Sequence, residues 1–204
     1  MNNKPNYLIK PVFDFLISVI SLPVVIPVLV IISMLLIIPN KGRIFFLQTR
    51  TGKNGRLFKV IKFRTLIENP NKKHQNKIRH FLRETHFDEL PQIFNVLKAD
   101  MSVVGPRPLL PEYQQYYDSK TAKHRITVKP GITGLTQISG GKYLPWGRRF
   151  SLDLFYISHI SFSFDLMIIC RTLNVFSKFW KIPQYNQISN DISFIDYMKG
   201  SEKK

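Results

Sequence analysis

Phe15-Leu16-Ile17-Ser18-Val19-Ile20-Ser21-Leu22-Pro23-Val24-Val25-Ile26-Pro27-Val28-Leu29-Val30-Ile31-Ile32-Ser33-Met34-Leu35-Leu36-Ile37-Ile38 is a run of 24 residues without one charged side chain. As a helix it reaches roughly 36 Å, longer than the roughly 30 Å of a bilayer core. It is too long for a signal peptide, and Ile38-Pro39-Asn40-Lys41 offers no small-x-small cleavage site. Pro23 and Pro27 stand near its middle, one turn apart, and each removes a backbone donor and bends the helix. Both flanks are basic, with Lys4 and Lys10 before it and Lys41, Arg43, Arg50 and Lys53 after it. The positive-inside bias places basic flanks in the cytoplasm, so it asks for both ends on one side. A helix that enters the membrane, bends at the prolines and returns meets both demands. A straight span that tolerates its prolines is the alternative.

Outward from that helix, charge dominates. Lys and Arg number 30 against 13 Asp and Glu in 204 residues, a formal net charge of +17. At 44% hydrophobic and 13% aromatic residues, the chain is too apolar to be a disordered basic tail. A single cysteine, Cys170, excludes a disulfide framework within the chain and a cysteine-based zinc cluster. The partners should be anionic: nucleic acid, lipid headgroups or phosphorylated small molecules.

The pattern predicts a mixed α/β fold, mostly helical. Residues 1–40 form the membrane helix, 41–185 one mixed domain lying against the membrane face, and 186–204 a C-terminal tail. Ile44 to Leu47 and Leu57 to Phe63 read as strands joined by a hairpin turn at Gly52-Lys53-Asn54-Gly55. Lys62 and Arg64 share a face that Lys59 does not. Residues 68–77 read as a polar loop. Ile78, Phe81 and Leu82 then give a short helical stripe carrying Arg79 and Arg83. Ser163 to Trp180 reads as a second long helix, ending in Phe179-Trp180-Lys181. It suits either the membrane interface or a packed core.

Leu90, Ile93, Phe94 and Leu97 fall at i, i+3, i+4 and i+7, one apolar helical face. Counting back, Asp88 is placed as N-cap and Glu89 at the first helical position. The N-terminal dipole and free N–H groups would lower a carboxylate's pKa there and keep it ionised as a nucleophile. Acidic residues at helix starts also serve as plain caps, so both readings stand. Gly105-Pro106-Arg107-Pro108 holds one guanidinium between two rigid residues, suited to a phosphate. Lys129-Pro130-Gly131-Ile132-Thr133-Gly134 is a second stiff turn, whose glycines would let backbone N–H groups approach an anion. The P-loop pattern GxxxxGK[ST] is absent.

Together these stretches resemble a known family. Phe13-Asp14 before a long apolar helix with a mid-helix proline is one mark. The others are Gln48-x-Arg50-x-Gly52, Lys62-Phe63-Arg64-Thr65, Asp88-Glu89-Leu90-Pro91-Gln92, Phe94-Asn95-Val96-Leu97-Lys98, Asp100-Met101-Ser102, Val104-Gly105-Pro106-Arg107-Pro108 and Lys129 to Gly134. In this order, from about Phe13 to about Lys178, they resemble the bacterial sugar transferases, the monotopic polyprenyl-phosphate phosphoglycosyl transferases, in their minimal form.

The resemblance implies a two-step transfer. Asp88 attacks the β-phosphate of a UDP-sugar, UMP leaves, and a sugar-phosphate stays on the aspartate. Polyprenol phosphate then takes the phosphosugar. It also implies Mg²⁺, a re-entrant first helix, and a site facing the cytoplasm at the bacterial inner membrane. Asp88 and Glu89 are then the catalytic and metal-binding candidates, with Glu89 as metal ligand or proton acceptor. Lys62, Arg64, Arg107, Lys129 and Gln137 are the candidate substrate-binding residues. The expected partners are the donor, the lipid acceptor and membrane lipids, without nucleic acid; a homo-oligomer is left open. The competing readings are a basic membrane-anchored nucleic-acid-binding protein and a scaffold without catalysis.

Overall fold

The computed structural model describes residues 9–66, 77–116 and 120–178. The chain is mixed α/β and mostly helical. The first element, α1, is an unbroken 29-residue helix, Ile9–Ile37, with Pro23 and Pro27 inside it. Hairpin strands β1 (Phe45–Thr51) and β2 (Leu57–Phe63) follow, then helix α2 (Lys77–Glu84). A 3₁₀ turn, Phe87–Gln92, runs into the short helix α3, Ile93–Leu97. Next come β3 (Ser102–Val104), α4 (Lys120–Arg125), β4 (Gly131–Thr133) and α5 (Leu135–Ile138). Helices α6 (Trp146–Ser158) and α7 (Phe162–Lys178) complete the fold. The expected loop is described only at Lys77, the first residue of α2. The aromatic-basic end of the last helix and the 186–204 tail lie outside the described residues.

One stripe of α1 is covered and the rest is bare. Asp14, Ser18, Leu29, Ile32 and Leu36 are buried, whereas Val12, Phe15, Ile20, Val24, Ile31 and Met34 are exposed. The helix is fastened to the rest of the molecule near both ends. Near its start, Asp14 accepts hydrogen bonds from Ser102 Oγ (2.7 Å) and Val103 N (3.1 Å), and Lys10 pairs with Asp165 of α7. Towards its end, Leu29, Ile32 and Leu36 form a cluster with Phe63 and Leu82. Just past it, buried Asn40 donates to Arg64 O at 2.8 Å and accepts from Arg79. Apolar burial at one end and satisfied buried polar groups at both make α1 part of the fold rather than a detached anchor.

β1 and β2 pair antiparallel in the register Phe46↔Lys62, Gln48↔Val60 and Arg50↔Phe58, which places those six residues on one face. Phe58 and Val60 on this face pack with Val96 and Met101. The strand readings hold, with β1 running on to Thr51. Asn54 takes the left-handed conformation (φ 54°) that turns the hairpin. Asn95 clips the hairpin to α3, accepting from Ile61 N at 3.0 Å and donating to Lys59 O at 2.8 Å.

Within α2, Arg79 is buried because its guanidinium serves Pro39 O and Asn40 Oδ1, while Phe81 of the expected apolar stripe is 54% exposed. The glycines at 131 and 134 serve close packing of backbone on backbone. A Cβ on Gly131 would lie 2.0 Å from Gly105 N, and one on Gly134 would lie 2.2 Å from Gly105 O. That closeness lets β4 pair in parallel with β3, Ser102 opposite Gly131 and Val104 opposite Thr133. The N–H of Gly131 is spent on Pro106 O at 3.0 Å.

Candidate active site

The Asp88-Glu89 pair does not begin an α-helix. It lies inside the 3₁₀ turn, which starts after His86 in a left-handed conformation (φ 57°), and Glu89 N donates to His86 O at 3.0 Å. Asp88 is therefore not the N-cap, and the expected lowering of its pKa does not occur. Burial, then the like charge of Glu89, push its carboxyl up to about 6. Lys62, a 3.4 Å contact from Thr65 Oγ1 and Arg107 pull the other way. The outcome is a desolvated carboxylate with one weak hydrogen bond, poorly stabilised as an anion.

Its neighbour has the opposite surroundings. Glu89 Oε1 receives Lys62 Nζ at 2.8 Å and Arg107 Nη2 at 2.6 Å, and Arg107 Nη1 lies 3.4 Å from Oε2. Burial works against its charge, but Arg107 and Lys62 overcome it and hold the carboxyl well below the usual carboxylate range. Glu89 also raises the pKa of Arg107. Three elements meet here: Lys62 comes from β2, Glu89 from the 3₁₀ turn, and Arg107 from the segment leaving β3.

A shallow open cleft lies over the trio, lined by Arg50, Val60, Lys62, Glu89, Gln92, Arg107, Pro108 and Gly131. Lys62 and Arg107 line this cleft together with Glu89, to which both bond, whereas Asp88 does not line it. Lys129, Arg64 and Gln137 do not line this cleft. Arg64 lies 5.8 Å from the Phe46 ring. Gln137 stands beside Gly134, with both amide atoms buried and without a hydrogen-bond partner.

Arg50 is the cleft residue that the sequence reading left without a role. It donates to Gln48 Oε1 (2.6 Å) and Pro108 O (3.3 Å), and burial followed by the nearness of Arg107 lowers its pKa. Strand alternation counted from Lys62 across the hairpin was the signal that could have found it.

A divalent cation fits this donor set in a limited way. No group of three or more His, Cys, Asp or Glu that could hold a metal occurs among the described residues. Mg²⁺ typically takes one or two carboxylates and completes its shell with waters and substrate phosphates. Asp88, with one weak hydrogen bond and an unfavourable negative charge, is a fitting ligand of that kind. The oxygens of Glu89 are already engaged by cations.

A buried acidic pair next to a cationic cleft, on a molecule with a long bare apolar helix, suits a membrane-associated transferase for phosphorylated groups. The chain belongs to the bacterial sugar transferase family, whose sequence profile matches residues 5–178. It is similar to the uncharacterized sugar transferase EpsL of Bacillus subtilis (strain 168), 40% identical over 154 residues, covering 72% of this chain and 76% of that protein. It is also similar to the exopolysaccharide production protein ExoY of Sinorhizobium fredii, 32% identical over 80% of this chain and 83% of that protein. A third relative is the UDP-glucose:undecaprenyl-phosphate glucose-1-phosphate transferase of Klebsiella pneumoniae, 39% identical over 84% of this chain but only 40% of that longer protein.

Proposed function

We propose that this transferase moves a sugar-1-phosphate from a UDP-sugar to polyprenol phosphate, through a covalent intermediate on Asp88, at the cytoplasmic face of the bacterial inner membrane. The observation that carries the reading is the contrast within one acidic pair. Asp88 is desolvated with one weak hydrogen bond, while Glu89 is locked in ion pairs with two cations of the cleft.

In the first step a carboxylate oxygen of Asp88 attacks the β-phosphorus. The bond from that phosphorus to the bridging oxygen breaks, and UMP departs with the electron pair. In the second step an oxygen of polyprenol phosphate attacks the same phosphorus. The acyl-phosphate bond breaks and the Asp88 carboxylate is restored. Covalent storage lets one site serve a soluble donor and a membrane acceptor in turn. Arg50, Lys62 and Arg107 offset the diphosphate charge and orient it for in-line attack. Glu89, kept ionised, holds Lys62 and Arg107 in place, which suits it better to that role than to accepting a proton. Mg²⁺, held by Asp88 and the substrate's phosphates, would neutralise further charge. The names of the longer relatives, such as the Klebsiella glucose-1-phosphate transferase, support this reaction class.

The test is a panel of UDP-sugars given to purified protein without acceptor. UMP should appear up to about one equivalent, as a covalent two-stage scheme demands. Intact-mass analysis should find a phosphosugar on the peptide containing Asp88. Asp88→Asn should abolish both signals. UMP release that depends strictly on acceptor, even in a single turnover, would replace the covalent scheme with direct transfer.

A further inference from the structure

Four successive carbonyls hold the segment that carries Arg107. Pro106 O accepts from Gly131 N at 3.0 Å, and Leu109 O from Thr51 N at 3.0 Å. Pro108 O accepts from Arg50 Nη1 at 3.3 Å, and Arg107 O from Arg125 Nη2. Pro106 and Pro108 have no N–H, so anchoring of this segment falls on its carbonyls.

Arg125 is 6% exposed, a buried cation whose purpose needs explaining. Its Nε donates to Asp153 Oδ2 at 2.6 Å, and the other Asp153 oxygen accepts from Thr136 Oγ1 at 2.6 Å. Asp153 and Thr136 are buried too, at 3% and 5% exposure, and the Phe150 ring lies 5.8 Å from the Arg125 guanidinium. The chain of contacts runs from α5 through α6 and α4 and ends on the backbone of one cleft residue. None of the three side chains lines the cleft that holds Glu89. Arg107 itself is 46% exposed at its side chain. Its tip is held by Glu89, and its backbone oxygen by Arg125.

We propose that Arg125, aimed by Asp153 and Thr136, is a positioning residue: it fixes the backbone of Arg107 so that this guanidinium meets Glu89 and the donor diphosphate in one geometry. The inference rests on the phosphoryl-transfer reading above. A displacement of about 1 Å at such a group costs on the order of 100-fold in rate.

The experiment is a double-mutant cycle on single-turnover UMP release, with enzyme in excess and its concentration varied. Arg125→Gln should lower kcat/KM for this step by about 10- to 100-fold, and Arg125→Lys should restore part of the loss. In an Arg107→Ala background the same Gln substitution should change the rate by less than about 2-fold, since the group it positions is gone. Equal losses in both backgrounds would overturn the proposal and leave Arg125 a general support of the fold. If Arg125→Gln yields no folded protein, Thr136→Val carries the cycle; it should cost about 3- to 10-fold and again lose its effect without Arg107. Hydrogen exchange gives a readout independent of donor. The peptide covering residues 103–110 should exchange faster in the folded Arg125 or Thr136 variant, while the α1 peptide stays unchanged. Unchanged exchange at 103–110 would also overturn it. Wild-type protein that releases no UMP would instead refute the function reading and leave the exchange result to decide the positioning role.

Discussion

Asp88 and Glu89 are adjacent, chemically alike, and pushed in opposite directions. One carboxyl is lifted to about 6 by burial and its neighbour; the other is held low by Arg107 and Lys62. This contrast has consequences for stability. Asp88 binds its proton more tightly in the folded chain than in the unfolded one. Between about pH 4 and 6 the folded state therefore holds more protons, and the contribution of Asp88 to stability falls as pH rises through that window. Glu89 acts with the opposite sign: its contribution is present above its unfolded value and is lost as pH falls towards its depressed folded value. Asp88→Asn should accordingly melt higher than wild type by about 2–6 °C at pH 7.5 in EDTA, with the two curves converging near pH 4. Thermal melts across that range check it; a mutant less stable than wild type at pH 7.5 would contradict the burial penalty assigned to Asp88. Gains in stability on removing a reactive group are a recurrent mark of active sites.

At the scale of elements, the site is an intersection. A two-stranded hairpin presents Lys62 and Arg50 on one face, a 3₁₀ turn presents the carboxylates, and the segment leaving the short β3–β4 pair carries Arg107. The last pair is the most demanding, because its strands approach within a distance that only glycine allows. A Cβ at position 131 would stand 2.0 Å from Gly105 N, backbone that cannot swing aside as a side chain could. Gly131→Ala should therefore separate β3 from β4, destabilise the fold by about 3 kcal/mol or more, and displace Arg107. A denaturant titration would measure the first effect and donor binding the second. Gly42, with nothing within 4 Å of an added Cβ but φ at +80°, is a contrast, since only backbone strain opposes a side chain there.

For the molecule as a whole, the decisive relation is between α1 and everything else. Its exposed face is apolar from Val12 to Ile38, yet both of its ends are tied to the same unit. Lys10 and Asp14 hold the beginning, through Asp165, Ser102 and Val103, and Asn40 holds the far end, through Arg64 and Arg79. We infer that an element clamped twice to one domain keeps both its ends on that domain's side of the membrane, as the basic flanks also suggest. Wild type on intact cells, with one engineered cysteine near Asn3 in a Cys170→Ser background, should thus resist a membrane-impermeant thiol reagent. Replacing Pro23 and Pro27 by leucine restores two helix donors and removes two prolines, each unfavourable by on the order of 3 kcal/mol in a helix interior. Part of that mutant population should span and become labelled. Strong labelling of wild type would make α1 an ordinary crossing helix and leave the case for Asp88 untouched.

Much of this was legible in the residues themselves. The apolar run, the basic excess, the strand hairpin and the helix α7 follow from local periodicity and turn chemistry, which neighbours in sequence decide. The candidate nucleophile and the two cations at Glu89 were also named from motifs. What the chain alone could not reveal depends on contacts between distant segments. Pattern counting made Asp88 a helix cap with a lowered pKa; the 3₁₀ turn and the desolvation that raises it come from packing against β2 and the Arg107 segment. Arg50 entered the cleft only through the register of the hairpin, and Arg79 and Arg125 were drawn inside by carbonyls and side chains 18 to 40 positions away. Periodicity decides which residues share a face. Burial and charge pairing, which set the chemistry of a carboxylate, are properties of the folded neighbourhood.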